Sequence, residues 1–175
     1  MSRAALLLLL LLLLVGCGVK PSPVKDAGTA GFLTAPSLTG VHVATCEDPT
    51  CGNGLNPPLG GNHCPSWLPC RKYDQPQPRC QWIHNLEHGH AVLAYNCPDG
   101  CPDIVNGLNA LWDSLQPNPT RKRILVTPDP NLPFKVAAIV WGFGWQGDAF
   151  DAAAINDVLS HQDQQAPEAF LGCAE

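Results

Sequence analysis

The sequence is short of positive charge, with 10 lysine and arginine residues against 15 aspartate and glutamate residues and a formal net charge of -5 at pH 7. The basic residues form no run of the kind that marks a nucleic-acid-binding surface, so nucleic acid is excluded as an expected partner. Methionine is scarce as well, because Met1 is its single copy. This scarcity excludes a thioether site for Cu(I), an ion that favours soft sulfur ligands.

No Cys-x-x-Cys pair occurs among the nine cysteines. The spacing therefore disfavours both a thiolate zinc site and a redox-active dithiol. Apart from Cys17 the cysteines form an even set, typical of four disulfides in a secreted protein: Cys46, Cys51, Cys64, Cys70, Cys80, Cys97, Cys101 and Cys173. Eight cysteines allow 105 pairings. The short separations favour the local pairs Cys46/Cys51, Cys64/Cys70 and Cys97/Cys101, which leaves Cys80 for Cys173.

The N-terminus has the pattern of a secretory signal, with Arg3 as the positive residue, an apolar run from Leu6 to Val15, and the small residue Gly16. The run has about 10 residues, whereas a membrane-spanning helix needs about 20. We therefore interpret it as a targeting segment and not as an anchor.

The segment Leu14-Val15-Gly16-Cys17 resembles the lipobox of bacterial lipoproteins. The resemblance implies removal of residues 1–16 and attachment of lipid, palmitate included, to Cys17. It also implies an extracytoplasmic protein anchored in a membrane by that lipid. With Gly18 next in the chain, the resemblance implies the outer membrane in a cell that has one.

After the signal, residues 17–36 are rich in Pro, Gly, Ala, Ser and Thr and are predicted to form a flexible tether without ordered structure. Residues 37–175 are sufficient for one domain with a single core. The stretch from Cys46 to Arg79 lacks periodicity and predicts a loop layer held by disulfides.

The remaining periodicities predict an α+β domain, a small mixed sheet covered by two helices. The predicted strands are Ala91–Tyr95, Arg123–Thr127 and Val136–Trp141. One predicted helix begins at the start signal Pro102-Asp103, has apolar residues at helical spacing from Ile104 to Leu115, and stops at Pro117. The other predicted helix has Asp148 as its N-cap and runs through Phe150 to Leu159. Trp82, Trp112 and Trp141 are expected in the core.

Three histidines and a carboxylate lie within seven residues, at His84, Glu87, His88 and His90. On a helix, His84 and His88 would share a face, as in the inverted zincin pattern. Gly89 and the following strand pattern argue against a helix, so we predict a strand or a turn here. A strand would separate His84 from His90 by roughly 20 Å and His88 from His90 by about 7 Å. A metal site in either a strand or a turn would need a further ligand from outside this cluster.

The segment His84-Asn85-Leu86-Glu87-His88-Gly89 resembles the signature of an uncharacterised bacterial family of secreted and membrane-anchored proteins. The similarity extends to a preceding Pro-rich segment, to spaced aromatic and proline residues, and to two later dipeptides. These are Pro57-Pro58-Leu59-Gly60-Gly61-Asn62-His63, then Trp67, Tyr73, Pro76 and Pro78, and finally Trp141-Gly142 and Pro167-Glu168.

The resemblance implies that His63 is the missing ligand. It implies a metal site of His63, His84 and His88, with Glu87 as fourth ligand, base or hydrogen-bond acceptor. His90 stands where the family usually has Gly, and His42 and His161 lie outside the pattern; a helix end explains His161. Imidazole and carboxylate ligands suit Zn(II) or Cu(II).

Three functions stay open. The first is binding of a transition metal, zinc or copper, by a lipid-anchored domain. The second is a metal-dependent hydrolase with Glu87 as general base. The third is a metal-free surface interaction module in which the histidines are hydrogen-bonded struts. The sequence predicts the membrane, through the lipid on Cys17, as a partner and identifies no protein partner.

Overall fold

The computed structural model describes residues 29–35, 38–115 and 123–174. The predicted signal peptide, the predicted lipidation site Cys17, most of the predicted tether and the predicted helix stop at Pro117 lie outside these ranges. In the described ranges, no helix is long and apolar enough to cross a bilayer.

One five-stranded mixed sheet forms the centre of the fold. Its strands are β1 (Gly31–Thr34), β2 (Ala91–Tyr95), β3 (Ile124–Pro128), β4 (Val136–Val140) and β5 (Phe143–Gly147). Their order across the sheet is β1-β5-β4-β2-β3. β2 and β3 are parallel, and the other neighbouring strands are antiparallel. The three predicted strands are thus confirmed within one residue at their ends, and the α+β class is confirmed.

Helices and loops cover both faces of the sheet. The helices are α1 (Arg79–Glu87), α2 (Pro102–Ser114) and α3 (Ala152–Ser160). Alternate residues of β2 divide between two apolar clusters: Leu93 packs with α2 and α3, whereas Val92 packs with α1 and the loop layer. Because both faces are buried there, the central strands β2 and β4 lack a polar side.

Two strands were not predicted. β5 follows β4 directly through a turn at Gly142, and the residues of β1 were assigned to the flexible tether. That assignment was wrong for residues 31–34, because β1 pairs along its whole length with β5 and Phe32 stacks on Phe143 at 5.6 Å. The strand that stabilises β1, β5, lies more than 100 residues later in the chain, so the local composition does not reveal the pairing.

α1 is a correction to the prediction that residues 84–88 are not helical. Seven of its nine residues are buried, so the amphipathic pattern that reveals a surface helix is missing. The helix ends before Gly89, whose φ of +79° suits the left-handed residue that follows many helices. Gly89 was taken as evidence against a helix, but it marks the end of one.

The N-cap of the last helix also differs from the prediction. Asp151, and not Asp148, accepts hydrogen bonds from the amides of Ala153 and Ala154 at 3.0 Å. Asp148 instead accepts from the Lys135 amide at 3.3 Å. The prediction counted Phe150 in the apolar pattern of the helix, but the helix begins after it, at Ala152. Of the three tryptophans expected in the core, Trp82 and Trp141 are buried and Trp112 is half-buried against the core.

The loop layer was predicted from Cys46 to Arg79, and this stretch contains only isolated β-bridges up to Arg79, where α1 begins. Residues 38–45 are likewise irregular, so we take the loop layer as residues 38–78. The eight cysteines in the described ranges pair as Cys46–Cys64, Cys51–Cys80, Cys70–Cys173 and Cys97–Cys101. Only Cys97–Cys101 agrees with the expected pairing; the other three expected pairs are wrong. In the structure, Cys46–Cys64 closes a loop within the loop layer, Cys51–Cys80 joins the loop layer to α1, and Cys70–Cys173 joins it to the C-terminal segment. Spacing along the chain cannot reveal such contacts.

Candidate metal centre

α1 carries two of the predicted ligands towards the loop layer. Its first residue, Arg79, forms a salt bridge with the buried Asp129 at 2.8 Å, which fixes that end of the helix. At the other end His84 and Glu87 are buried, and His88 is the C-cap. Residues three and four positions apart share a helix face, so the helix brings these side chains to one place.

The loop layer supplies the histidine that the resemblance implied, His63, and a second one, His42. The two are neighbours in an isolated parallel bridge, in which the His63 amide donates to Val41 O at 3.1 Å and the Val43 amide donates to His63 O at 2.8 Å. The adjacent Cys64 is bonded to Cys46 and donates its amide to Cys80 O in α1 at 3.3 Å. These contacts hold both histidines against the helix.

Four residues then form one compact group, in which one ligand atom from each lies within 4.8 Å of all the others: His42, His63, His84 and Glu87. Within it, His63 Nε2 lies 2.9 Å from Glu87 Oε2. The ring centroid of His42 is 4.9 Å from those of both His63 and His84. Three imidazoles and a carboxylate match the four-coordinate ligand sets of zinc sites.

Backbone carbonyls orient two of these rings. His63 Nδ1 donates to Gly61 O and His84 Nδ1 donates to Cys64 O, both at 2.8 Å. With its proton on Nδ1, a neutral imidazole keeps a lone pair on Nε2. Nδ1 donation to a carbonyl is the arrangement that typically fixes metal-ligating histidines. The nitrogen that could bind a cation is therefore Nε2 in both rings; it faces Glu87 Oε2 in His63 and His88 Nε2 in His84.

The contact between His63 and Glu87 lies at the centre of this group. His63 is 1% exposed, and its Nε2 has no aligned hydrogen-bond partner among the described residues, although Glu87 lies beside it. A proton on His63 faces the ionised Glu87 carboxylate across this short contact. A cation between the two groups would take the place of that proton, so the residues fit a bound metal.

The charges of the group respond to burial and to one another. Burial alone would lower the pKa of His63, but the contact with Glu87 and the bond to Gly61 O raise it above its usual range. Burial lowers the pKa of His84 to about 4, against the effect of its bond to Cys64 O. Burial would raise the pKa of Glu87, but the contact with His63 holds it below its usual range. His84 is thus neutral and Glu87 ionised at neutral pH.

His88 lies beside this group but is not one of the four. Its Nε2 is 3.1 Å from His84 Nε2 and 3.3 Å from Glu168 Oε2. Glu87, His88 and Glu168 form a second close group, again with ligand atoms within 4.8 Å of one another. Burial lowers the pKa of His88, which keeps its ring neutral and able to ligate.

His90, the third histidine of the sequence cluster, has a structural role. Its Nδ1 accepts from Asn85 Nδ2 at 3.0 Å, and its Nε2 donates to Leu171 O at 3.0 Å. With both ring nitrogens occupied, it connects α1 to the C-terminal segment. Its Nδ1 also lies 3.7 Å from Cys70 Sγ, but Cys70 is bonded to Cys173 and offers no thiolate.

His161 lies outside the centre, as expected. It is the C-cap of α3, its ring packs 4.4 Å from that of Phe143, and its Nδ1 is 3.1 Å from Gln164 Oε1. These contacts explain the position of the His161 side chain without a bound ligand.

Sequence reasoning missed three residues at the centre: His42, Glu168 and Trp67. His42 was set aside because it lies outside the signature, and no local pattern indicates its bridge to His63. Glu168 and Trp67 were noted as similarities without a role. The Trp67 ring packs 4.5 Å from that of His88 and 5.1 Å from that of His84.

Comparison with curated proteins and comparison with solved structures each gave no match. One family matches residues 42–175, a range that begins at His42 and includes every residue of both ligand groups. The description of that family states no activity. The match covers most of the chain, which therefore belongs to the family described as "Protein of unknown function (DUF3105)".

Proposed function

We propose that this domain binds a divalent transition metal ion through His42, His63, His84 and Glu87. The observation that carries the proposal is the convergence of one ligand atom from each of these four residues within 4.8 Å, with His63 Nε2 2.9 Å from Glu87 Oε2. The carbonyl bonds of His63 and His84 support it, because a proton on Nδ1 leaves the lone pair of each neutral ring on Nε2.

The ligand set favours Zn(II) or Cu(II). Three imidazoles and one carboxylate are nitrogen and oxygen donors of intermediate softness. All eight described cysteines are disulfide-bonded, which leaves no thiolate in the described ranges for Cu(I). At equal availability the Irving–Williams order favours copper over zinc.

A metal titration of the full chain, purified with its disulfides formed and without thiol reductant, tests the proposal. Cu(II) is expected to quench the fluorescence of Trp67, whose ring lies close to those of His84 and His88. Zn(II) is expected to raise the melting temperature, because an ion that binds only the folded state stabilises it.

The variant His63→Gln is expected to lose high-affinity binding, and His161→Gln serves as the matched control because that histidine lies away from the centre. Binding that is equal in both variants, or a melting temperature that no metal or chelator changes, would overturn the proposal. The second result would instead favour the metal-free interaction module, in which the histidines are struts.

A metal-dependent hydrolase is the second candidate, and the helical conformation of α1 favours it. His84 and His88 lie one turn apart with their Nε2 atoms 3.1 Å apart, and Glu87 lies between them in the sequence. The lowered pKa of Glu87 favours a ligand over a general base. Hydrolysis of a peptide or ester that Glu87→Gln abolishes, with metal still bound, would establish this candidate.

We also propose that the domain is extracytoplasmic and anchored by lipid on Cys17, on the outer membrane in a cell that has one. Four disulfides support an oxidising compartment. Metabolic labelling with a palmitate analogue tests the anchor: the full chain is expected to incorporate label and Cys17→Ser is not. Equal labelling of both would contradict it.

A further inference from the structure

The geometry points to a second cation position beside the first, formed by Glu87, His88 and Glu168, so that the centre holds two ions that share the Glu87 carboxylate. This inference rests on the proposed metal centre. One ligand atom of each of the three residues lies within 4.8 Å of the others. A carboxylate has two oxygens and can bridge two ions, as happens in two-metal enzymes whose ions lie about 3.5–4 Å apart.

The first position has no need of His88. Three imidazoles and Glu87 already supply the four ligands of a tetrahedral ion. His88 is 2% exposed, and its Nε2 lies between two groups, His84 Nε2 at 3.1 Å and Glu168 Oε2 at 3.3 Å. The buried His88 imidazole and the neighbouring Glu168 carboxylate therefore supply two ligands for a second cation.

Glu168 is held in place by the backbone although its side chain is 58% exposed. Its amide donates to Glu87 O at 3.0 Å, which joins the C-terminal segment to the end of α1. Farther along that segment, Leu171 O accepts from His90 and Cys173 is bonded to Cys70. These anchors keep the Glu168 carboxylate beside His88 without burying it.

The two positions differ in chemistry and in access. The first is rich in imidazole, whereas the second has two carboxylates and one imidazole, and carboxylate ligands suit harder ions such as Mn(II) better than the first set does. Because the Glu168 side chain is 58% exposed, the second position is open to solvent. With three protein ligands, it leaves coordination positions for water or an anionic ligand.

Equilibrium dialysis of the full, disulfide-bonded chain against Zn(II), with metal content measured by mass spectrometry, tests the inference. The wild-type chain is expected to bind two ions and Glu168→Gln one. Because Glu168 is exposed, this variant keeps the fold; His88→Gln is expected to lose the same ion. Asp157→Asn, which removes an exposed carboxylate from α3, is the control and is expected to retain two.

The outcomes separate the two proposals. One ion in both wild type and Glu168→Gln would overturn the second position and leave the first intact. Two ions in all variants would also overturn it, since the second ion would then lie elsewhere, and no ion in the wild-type chain would overturn the proposed function as well. An EPR spectrum of the Cu(II)-loaded chain tests whether the two ions share a carboxylate. Magnetic coupling between neighbouring ions is expected in the wild type and not in Glu168→Gln. A wild-type chain that binds two Cu(II) ions without such coupling would contradict a shared carboxylate.

Discussion

His63 Nε2 and Glu87 Oε2 lie 2.9 Å apart and join the disulfide-rich loop layer to the end of α1. Both side chains are largely buried, and their neighbours His42 and His84 complete a group of four ligands. A buried charge is tolerated only with a partner of opposite charge or a metal. Without metal, a proton on His63 provides that partner; with metal, the ion takes its place.

His42→Gln is expected to weaken Zn(II) binding at least about tenfold, or about 1.4 kcal/mol. His42 is exposed, so its loss removes a ligand without opening the core. Calorimetric titration at pH 7.5 measures the effect, with His161→Gln as the control. Equal affinity in the two variants would show that His42 is not a ligand.

Metal affinity is expected to fall as the pH falls below the raised pKa of His63. In that range a proton must leave His63 before metal binds, so affinity decreases about tenfold for each pH unit. His84, with its pKa of about 4, and Glu87, with its lowered pKa, need to release no proton until the solution is much more acidic. Titration of His42→Gln in buffers of different ionisation enthalpy counts the protons released without a contribution from His42, and release of no proton near pH 6 would contradict this assignment.

Protein stability is expected to depend on pH through His90. Burial lowers its pKa to about 4, below the unfolded value of about 6.5. The folded state then binds fewer protons than the unfolded state, so stability falls as the pH decreases from about 6.5 to about 4. Over that range His90 contributes a loss of up to about 3 kcal/mol.

The variant His90→Asn tests this contribution. It is expected to be less stable at pH 7, because the bond to Leu171 O is altered, but to lose less further stability on acidification. Urea unfolding at several pH values between 7 and 4 measures both effects. An unchanged pH slope would contradict a buried neutral imidazole at this position.

Gly89→Ala is expected to destabilise the fold more than Gly100→Ala does. Both glycines have positive φ, +79° and +82°, so both variants carry a backbone strain of about 1–2 kcal/mol. A Cβ at Gly100 meets open space, whereas one at Gly89 meets the carboxylate of Asp163, the partner of Arg123. Thermal unfolding compares the pair; equal losses would show that Asp163 moves aside at no cost.

Much of the fold was predictable because its signals are local. β2 shows in a short apolar run and α2 in helical spacing after Pro102, and both occur where predicted. α1 was not predicted, because a helix buried on nearly every side has no periodicity to detect. β1 was missed because an edge strand that pairs with a distant partner carries little signal of its own.

The sequence by itself determined the α+β class, the oxidised cysteine set and the candidacy of His63, His84, Glu87 and His88 as ligands. Only the tertiary structure decided which residues meet: it brought in His42 and Glu168, gave His90 a structural role, and paired the cysteines across the loop layer. The physical reason is range. Helix and strand preferences act over a few residues, whereas a metal centre depends on contacts between distant segments, which burial and disulfides establish once the chain has folded.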